Sequence, residues 1–361
     1  MQRQGLIMKQ KLLSLILALL TALPLLSGCG GTGSADVHVF YYNYSDTYIS
    51  SVRAALDREL GDAGIAYQDH DAGGSQTTQT EQIRTALTKG ASAILVNIVN
   101  TGSSDAAGEI TALAREAGVP LIFFNREVSD EVVKSYDKCA FVGTRAEEAG
   151  ILQGELIGDF LLTDYAKYDL NGDGEISYIL FKGEEGNNEA IYRTKYSVEE
   201  ADKKLKAAGK RPLKFYDASN KNGYLVDKNG QWSAAAAAEY MTTALTEYNT
   251  EGGNMIELVI ANNDGMAEGA ISALGAVGYN KGKGSPTVPV FGVDATEAAR
   301  SLIANGQMSG TIKQDESGMA KALRHLAQNA LSGRDLLADT GGIPSEEDVR
   351  KLRIRYEKYV G

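Results

Sequence analysis

The chain has 361 residues, more than one ordinary core fills and enough for two domains. Its net charge is -11, and no basic patch is interleaved with aromatics, which argues against nucleic acid as a partner. Two cysteines exclude a disulfide framework.

At the N-terminus, Lys9 and Lys11 precede an apolar run from Leu12 to Leu26, followed by Ser27-Gly28-Cys29. A basic segment, an apolar segment and a small-residue cleavage site predict a secretory signal over residues 1–28. The run is too short to span a bilayer comfortably. One reading is an ordinary cleaved signal. The other rests on its ending, which resembles a bacterial lipoprotein box. That box implies that Cys29 is lipidated and holds an otherwise soluble, extracytoplasmic protein at a membrane surface. Residues 29–36, with Gly30-Gly31-Thr32-Gly33-Ser34, then form a flexible tether.

Short apolar, β-branched runs alternate with helical patterns through the rest. Strands are expected at Val37–Tyr42, Ala93–Ile98, Leu121–Asn125 and Ala140–Gly143, then at Ile176–Phe181, Leu213–Tyr216, Leu258–Asn262 and Val288–Val293. Helical spacing marks Ser50–Leu60, Thr80–Lys89, Ala106–Ala117 and Ala146–Phe160. The alternation predicts an α/β fold of doubly wound parallel sheets with helices on both faces, which also explains why the strand runs are nearly continuous. Cys139 lies inside one such run and reads as a small core residue.

Asp169-Leu170-Asn171-Gly172-Asp173-Gly174-Glu175-Ile176-Ser177 sets side-chain oxygens at loop positions 1, 3, 5 and 9, with glycine at position 6. That is the spacing with which a calcium loop wraps a hard cation. Position 12 is Leu180 and the following run is strand-like, so the loop stands outside an EF-hand and its closing carboxylate comes from elsewhere. A polar Asp-Asn-Gly turn is the plainer alternative.

In parallel sheets ligands bind at the carboxyl ends of strands. Here those ends are polar: Tyr42-Asn43-Tyr44-Ser45-Asp46, Asn97, Asn125-Arg126-Glu127, Asn262-Asn263-Asp264 and Asp294. Each alone reads as a helix cap or turn former. Together, from both halves of the chain, they predict a polar ring around one cleft.

With these residues assembled, most of the chain from Val37 to about Leu331 resembles the periplasmic galactose/glucose-binding proteins, sugar receptors of an ATP-driven importer and of chemotaxis. The likeness is densest at Val119–Glu127, the calcium loop, Ile260–Asp264 and Val288–Ala295. It implies a type I periplasmic binding protein: two doubly wound domains joined by three crossings and closing over a sugar. Crossings are implied near Thr144, near Asp315 and around Leu352–Tyr356. The lobes would then be 37–143 plus 316–345 and 144–315 plus 346–361.

The same resemblance implies a structural calcium ion held by Asp169, Asn171, Asp173, the Glu175 carbonyl and Glu257, with Ser177 at the ninth position reaching it directly or through water. It implies sugar contacts from Tyr42, Asp46, Asn97, Arg193, Trp232, Asn263 and Asp294, with Trp232 and Tyr48 stacked on the two pyranose faces. Asn187, Glu189 and Gln314 stand where the family has histidine, aspartate and asparagine. They keep hydrogen-bonding ability and alter reach, so xylose or another sugar competes with galactose and glucose. Residues 218–230 are longer than the family pattern and lie just before Trp232. The implied partners are a monosaccharide, an ABC permease with its ATPase, and alternatively a chemoreceptor or sensor; a monomer is expected.

Enzyme readings find little support. His38, His70 and His325 lack metal-ligand spacing, no Gly-x-Ser-x-Gly elbow occurs, and Gly278–Gly284 lacks P-loop order. A repressor with the same core would need a basic helix-turn-helix where the signal stands.

Overall fold

The structure, a computed structural model, describes residues 35–361. The expected signal, Cys29 and residues 29–34 of the tether lie outside the described residues. Among the described residues, no helix is long and apolar enough to cross a membrane.

The first lobe begins with β1 (Val37–Tyr41), β2 (Tyr67–Asp71), β3 (Ala93–Val96), β4 (Leu121–Phe124) and β5 (Cys139–Gly143), all paired in parallel. Between them run α1 (Thr47–Asp62), α2 (Gln76–Thr88), α3 (Asp105–Ala117) and α4 (Asp130–Lys134). Successive side chains of a strand point to opposite faces. Val37, Val39 and Tyr41 accordingly join one apolar cluster with Ile49, Val52 and Leu56, while Phe40 joins another with Ile83 and Ile110. Both faces are covered, hence the unbroken apolar run. Cys139 is fully buried, and burial pushes its thiol up to about 12, so it is an inert core residue.

The second lobe follows with α5 (Ala146–Thr163), α6 (Tyr165–Tyr168), β6 (Ser177–Lys182), α7 (Asn188–Ala207), β7 (Lys214–Phe215), β8 (Leu225–Val226), α8 (Ala234–Glu247), β9 (Leu258–Ala261), α9 (Asp264–Ala276), β10 (Val290–Asp294), α10 (Glu297–Ala304) and β11 (Gly310–Gln314). The chain then returns to the first lobe as α11 (Glu316–Leu331), whose Met319, Leu323 and Leu326 pack with α1, and as β12 (Ser345–Glu346) and β13 (Lys351–Arg353). It ends as β14 (Tyr356–Tyr359) in the second lobe. The sheet orders are β12-β13-β5-β4-β3-β1-β2 and β14-β11-β10-β9-β6-β7, with β8 beside β6. In the second lobe Gly154 lets α5 and α7 pack backbone to backbone: a Cβ there would lie 2.7 Å from the Ser197 carbonyl.

The second sheet thus gives way to the first across single turns of chain. Thr144 and Arg145 join β5 to α5, Asp315 alone joins β11 to α11, and Ile354 and Arg355 join β13 to β14. The expected lobe boundary at residue 346 is corrected. Residues 345–353 belong to the first sheet, because β13 pairs in parallel with β5 and β12 pairs with β13. Lys351, only 2% exposed, fastens this segment by donating to Glu127 at 2.8 Å.

Short strands such as β8 and β12 were not expected from the sequence, and neither were the longer β2 and β11. Tyr-Gln-Asp-His-Asp of β2 is half-buried because it is an edge strand. Its His70 lies 2.9 Å from His38 of β1, a neighbourhood that linear spacing does not show. Gly-Thr-Ile-Lys-Gln of β11 carries too few apolar residues to register.

Candidate functional site

The carboxyl ends of strands from both sheets face one polar cleft. Tyr42, Asp46 and Tyr48 line it from the first lobe. Asn187, Glu189, Arg193, Trp232, Asn263, Asp294 and Gln314 line it from the second lobe and its junction. The structure thereby brings together every expected contact except Asn97.

Asn97 is fully buried behind the cleft. Its Nδ2 donates to the Phe124 carbonyl at 3.2 Å and to Asn125 Oδ1 at 3.1 Å, and its Oδ1 accepts from Tyr42 N at 3.4 Å. The side chain braces two strand ends and does not reach the cleft surface. Asn125 and Arg126 stand there instead. Their segment was noted as a polar strand end, but no spacing distinguished them as lining residues.

Helix capping and cleft lining prove compatible. Asp46 caps α1 by accepting from Ile49 N at 2.8 Å through Oδ1, while its Oδ2 accepts from the Tyr42 hydroxyl at 2.6 Å. Asn187 caps α7 by accepting from Ala190 N at 3.1 Å, and Asn263 caps α9 by accepting from Met266 N at 2.9 Å. An N-cap points its side chain back over the helix start, which is where the strand ends open.

Backbone strain gathers at the same place. Asn125, Trp232, Asp294 and Ala295 have φ of 62°, 55°, 126° and 57°. Such left-handed backbone in residues with a Cβ persists where the surroundings hold it. The fully buried Asp264 does so at the last pair: it accepts from Thr311 Oγ1 at 2.6 Å and from Thr296 N at 2.9 Å. Burial pushes its carboxyl up to about 7. The indole of Trp232 lies flat against Gly183, where a Cβ would come within 2.1 Å of the ring.

The lobes meet across the cleft. Arg126 Nη2 donates to Glu184 Oε2 at 2.6 Å while its guanidinium lies 4.2 Å from the Tyr42 ring centre. Asn187 Nδ2 donates to Thr101 Oγ1 at 3.3 Å, and Asn43 bonds Gln231. Gln231 lies at the end of the long 218–230 segment, so that segment supplies a cross-lobe contact.

Five buried polar atoms on lining residues have no protein partner: both carboxylate oxygens of Glu189, Nε of Arg126, Nε of Arg193 and Nε2 of Gln314. Buried polar atoms in native proteins are almost always satisfied. Burial, then the charge of Glu127, raises the Glu189 carboxyl to about 6, with Arg193 opposing. Burial also raises Asp294, whose Oδ1 lies 3.9 Å from Arg193 Nη1. Acceptors and donors interleaved around a flat aromatic ring suit a compact polyol with C–H faces.

The Asp169–Ser177 loop is a separate feature. Glu257 Oε1 accepts from Leu170 N at 2.7 Å and from Asn171 N at 3.3 Å, and Oε2 accepts from Ser177 N at 2.8 Å and Oγ at 3.1 Å. Asp169 Oδ2 accepts from Gly174 N at 2.9 Å, and its Oδ1 is buried without a partner. Burial raises the Glu257 carboxyl. The Glu175 side chain turns outward to Lys214 at 3.1 Å. Among the described residues no group of three or more His, Cys, Asp or Glu stands as a ready metal cluster. The donor set, all hard oxygens with one orphaned carboxylate oxygen, fits a calcium ion in kind.

Comparison with known proteins bears on the fold and the cleft. The family described as a periplasmic binding protein domain matches residues 37–335. The chain is 34% identical to the D-galactose/methyl-galactoside binding periplasmic protein of Haemophilus influenzae, over 89% of this chain and 88% of that one. It is 26% identical to the D-xylose-binding periplasmic protein of Escherichia coli, over 74% and 69%. An ABC transporter solute binding protein from Bacillus halodurans, solved with bound myo-inositol, superposes with a TM-score of 0.67 at 26% identity, covering 92% of this chain and 96% of its own. These relatives bind solutes and are not enzymes. The two-lobed α/β architecture is the type I one, and the chain belongs to the periplasmic binding protein family.

Proposed function

We propose that this protein captures a monosaccharide, D-galactose or D-glucose foremost, between its lobes and delivers it to an ABC permease. The observation that carries the reading is the set of unpartnered atoms on Glu189, Arg126, Arg193 and Gln314, gathered beside Trp232. A pyranose hydroxyl both donates and accepts, so one ring of hydroxyls satisfies this mixed set, while its C–H face covers the indole. The 34% identical galactoside-binding relative favours galactose. The D-xylose-binding relative, with Asn187, Glu189 and Gln314 in place of the family's residues, favours D-xylose as the second reading.

Two accessory roles complete the proposal. The Asp169–Ser177 loop, closed by Glu257, holds calcium as a structural ion, supported by its spacing and by the orphaned Asp169 Oδ1. Cys29, outside the described residues, carries a lipid that keeps the receptor beside its permease.

Trp232 is the one tryptophan in the chain, so its emission reports this cleft. The protein is unfolded, refolded with calcium, and titrated with D-galactose, D-glucose, D-xylose and D-ribose. A saturable change with one sugar names the ligand. A folded protein that responds to none of them, by emission or by calorimetry, overturns the monosaccharide reading. Mass spectrometry of the membrane-extracted protein for a diacylglyceryl adduct on Cys29 decides the anchor.

A further inference from the structure

We propose that Tyr356 is a positioning residue that sets the aim of Arg193 together with the angle of the hinge. The inference rests on the sugar-binding reading above. Tyr356 is the first residue of β14, immediately after the crossing at Ile354 and Arg355. Its hydroxyl accepts from Arg193 Nη2 at 2.9 Å and shares a hydrogen bond with Thr144 Oγ1 at 2.9 Å. Thr144 opens the first crossing. The same Arg193 Nη2 donates at 3.1 Å to Gln314 Oε1, the last residue before the crossing at Asp315. One guanidinium nitrogen therefore reaches the second and third crossings directly, and the first through a phenol.

The rest of Arg193 is fixed by its Nη1, which donates to the Asn262 carbonyl at 2.8 Å. Nε remains as a buried donor without a protein partner, on a residue that lines the cleft. Tyr356, Thr144, Arg193 and Gln314 are 4%, 0%, 4% and 1% exposed, so water does not substitute for a lost bond. Hydrogen bonds in such dry networks reinforce one another and are costly to leave half made.

Thr144 follows a strand of the first sheet, and Tyr356 begins a strand of the second. Their bond therefore spans the junction between the two sheets. Closing the cleft and aligning Arg193 Nε then become one event: the angle that brings Thr144 to the phenol also presents the guanidinium to a sugar hydroxyl. Gripping the sugar favours the hinge angle that satisfies Tyr356, by the ordinary reciprocity of coupled equilibria.

The test compares wild type, Tyr356→Phe, Thr144→Val and the double variant, with D-galactose as probe. Tyr356→Phe keeps the ring and removes only the hydroxyl. It should raise the dissociation constant about tenfold, mainly through faster release. Thr144→Val should act in the same direction, Thr144→Ser should restore wild-type binding, and the double variant should be no worse than Tyr356→Phe alone. Wild-type binding by both single variants, or effects that simply multiply, overturns the proposal. If wild type binds none of the sugars, the binding reading fails separately. The hinge is then judged without ligand, by amide hydrogen exchange at residues 144–145 and 354–355. Faster exchange in Tyr356→Phe supports the coupling, and unchanged exchange overturns it.

Discussion

Arg126 of the first lobe and Glu184 of the second form an ion pair at 2.6 Å across the cleft, with side chains 6% and 19% exposed. Trp232 Nε1 donates to the same Glu184 oxygen at 3.4 Å, so one carboxylate holds both the opposite lobe and the cleft-lining indole. Removing one member of a nearly buried pair leaves the other charge uncompensated. Glu184→Gln should weaken sugar binding by about ten- to a hundredfold, through faster release. Stopped-flow displacement measures the rate. Small-angle scattering of the unliganded variant should show a more open particle.

Glu189 predicts two pH effects of opposite sign. Its folded-state value of about 6 lies above its ordinary 4.5, so between those values the folded protein holds a proton that the unfolded chain has lost. Stability of the unliganded protein therefore falls as pH rises through that window. The group costs about 2 kcal/mol above it and nothing below it. Glu189→Gln lacks this dependence, and thermal melts of both proteins from pH 4.5 to 7 isolate it. Hydroxyls donating to Glu189 favour its charged form, so sugar affinity should instead decline as pH drops below about 6.

Gly183→Ala tests the indole without altering it. The new Cβ would fall 2.1 Å from the Trp232 ring, which must move. Emission should shift before any sugar is added, and affinity should drop about tenfold or more. Trp232→Ala should lose more, read by calorimetry because the reporter is gone. Unchanged emission in Gly183→Ala would show that the ring is not seated on this glycine.

Calcium removal should lower the melting temperature by several degrees, following the mass-action stabilisation of any ion that binds only the folded state. Glu257→Gln should abolish the calcium response. Ser177→Gln should strengthen it, because Ser177 Oγ is engaged by the Met255 carbonyl at 2.9 Å and a longer side chain reaches further. A melt indifferent to calcium would return the loop to a polar turn.

The parts of the site legible in the sequence are those where residue type and strand end coincide. Tyr42 and Asp294 sit at sheet termini and Asp46 caps the helix that follows β1, and the doubly wound pattern aims such termini at one cleft, whereas Arg193 lies inside α7 and was expected there only through the family resemblance. The choice between cap and cleft residue at Asp46, Asn187 and Asn263 dissolves, because each caps a helix with one side-chain oxygen and still lines the cleft. Asn97 shows the limit. Its position is at a strand end, but the direction of a carboxamide depends on neighbours 27 and 28 residues away. Arg126 was missed for a related reason: its partner Glu184 is 58 residues distant, and nothing local distinguishes it from a solvated arginine. The late boundary at residue 353 escaped because Lys351 reads as a surface charge and is in fact fastened under Glu127 and Asp130, at 2.8 and 2.7 Å.

The brevity of the crossings decides what kind of machine this is. Only Ile354 and Arg355 separate the last strand of one sheet from the first residue of the other, and only Asp315 stands at the second crossing. At full stretch, two intervening residues reach roughly 11 Å, and much of that is already taken up by the turn. The lobes have no slack with which to slide or pull apart. They can only swing, like covers on a tight spine, so the mouth of the cleft opens widely while the floor at Gln314 and Tyr356 turns with the hinge over a much shorter distance. A sugar would enter and leave by the rim, and any membrane partner that frees it must pry the rim edges apart, without touching the floor.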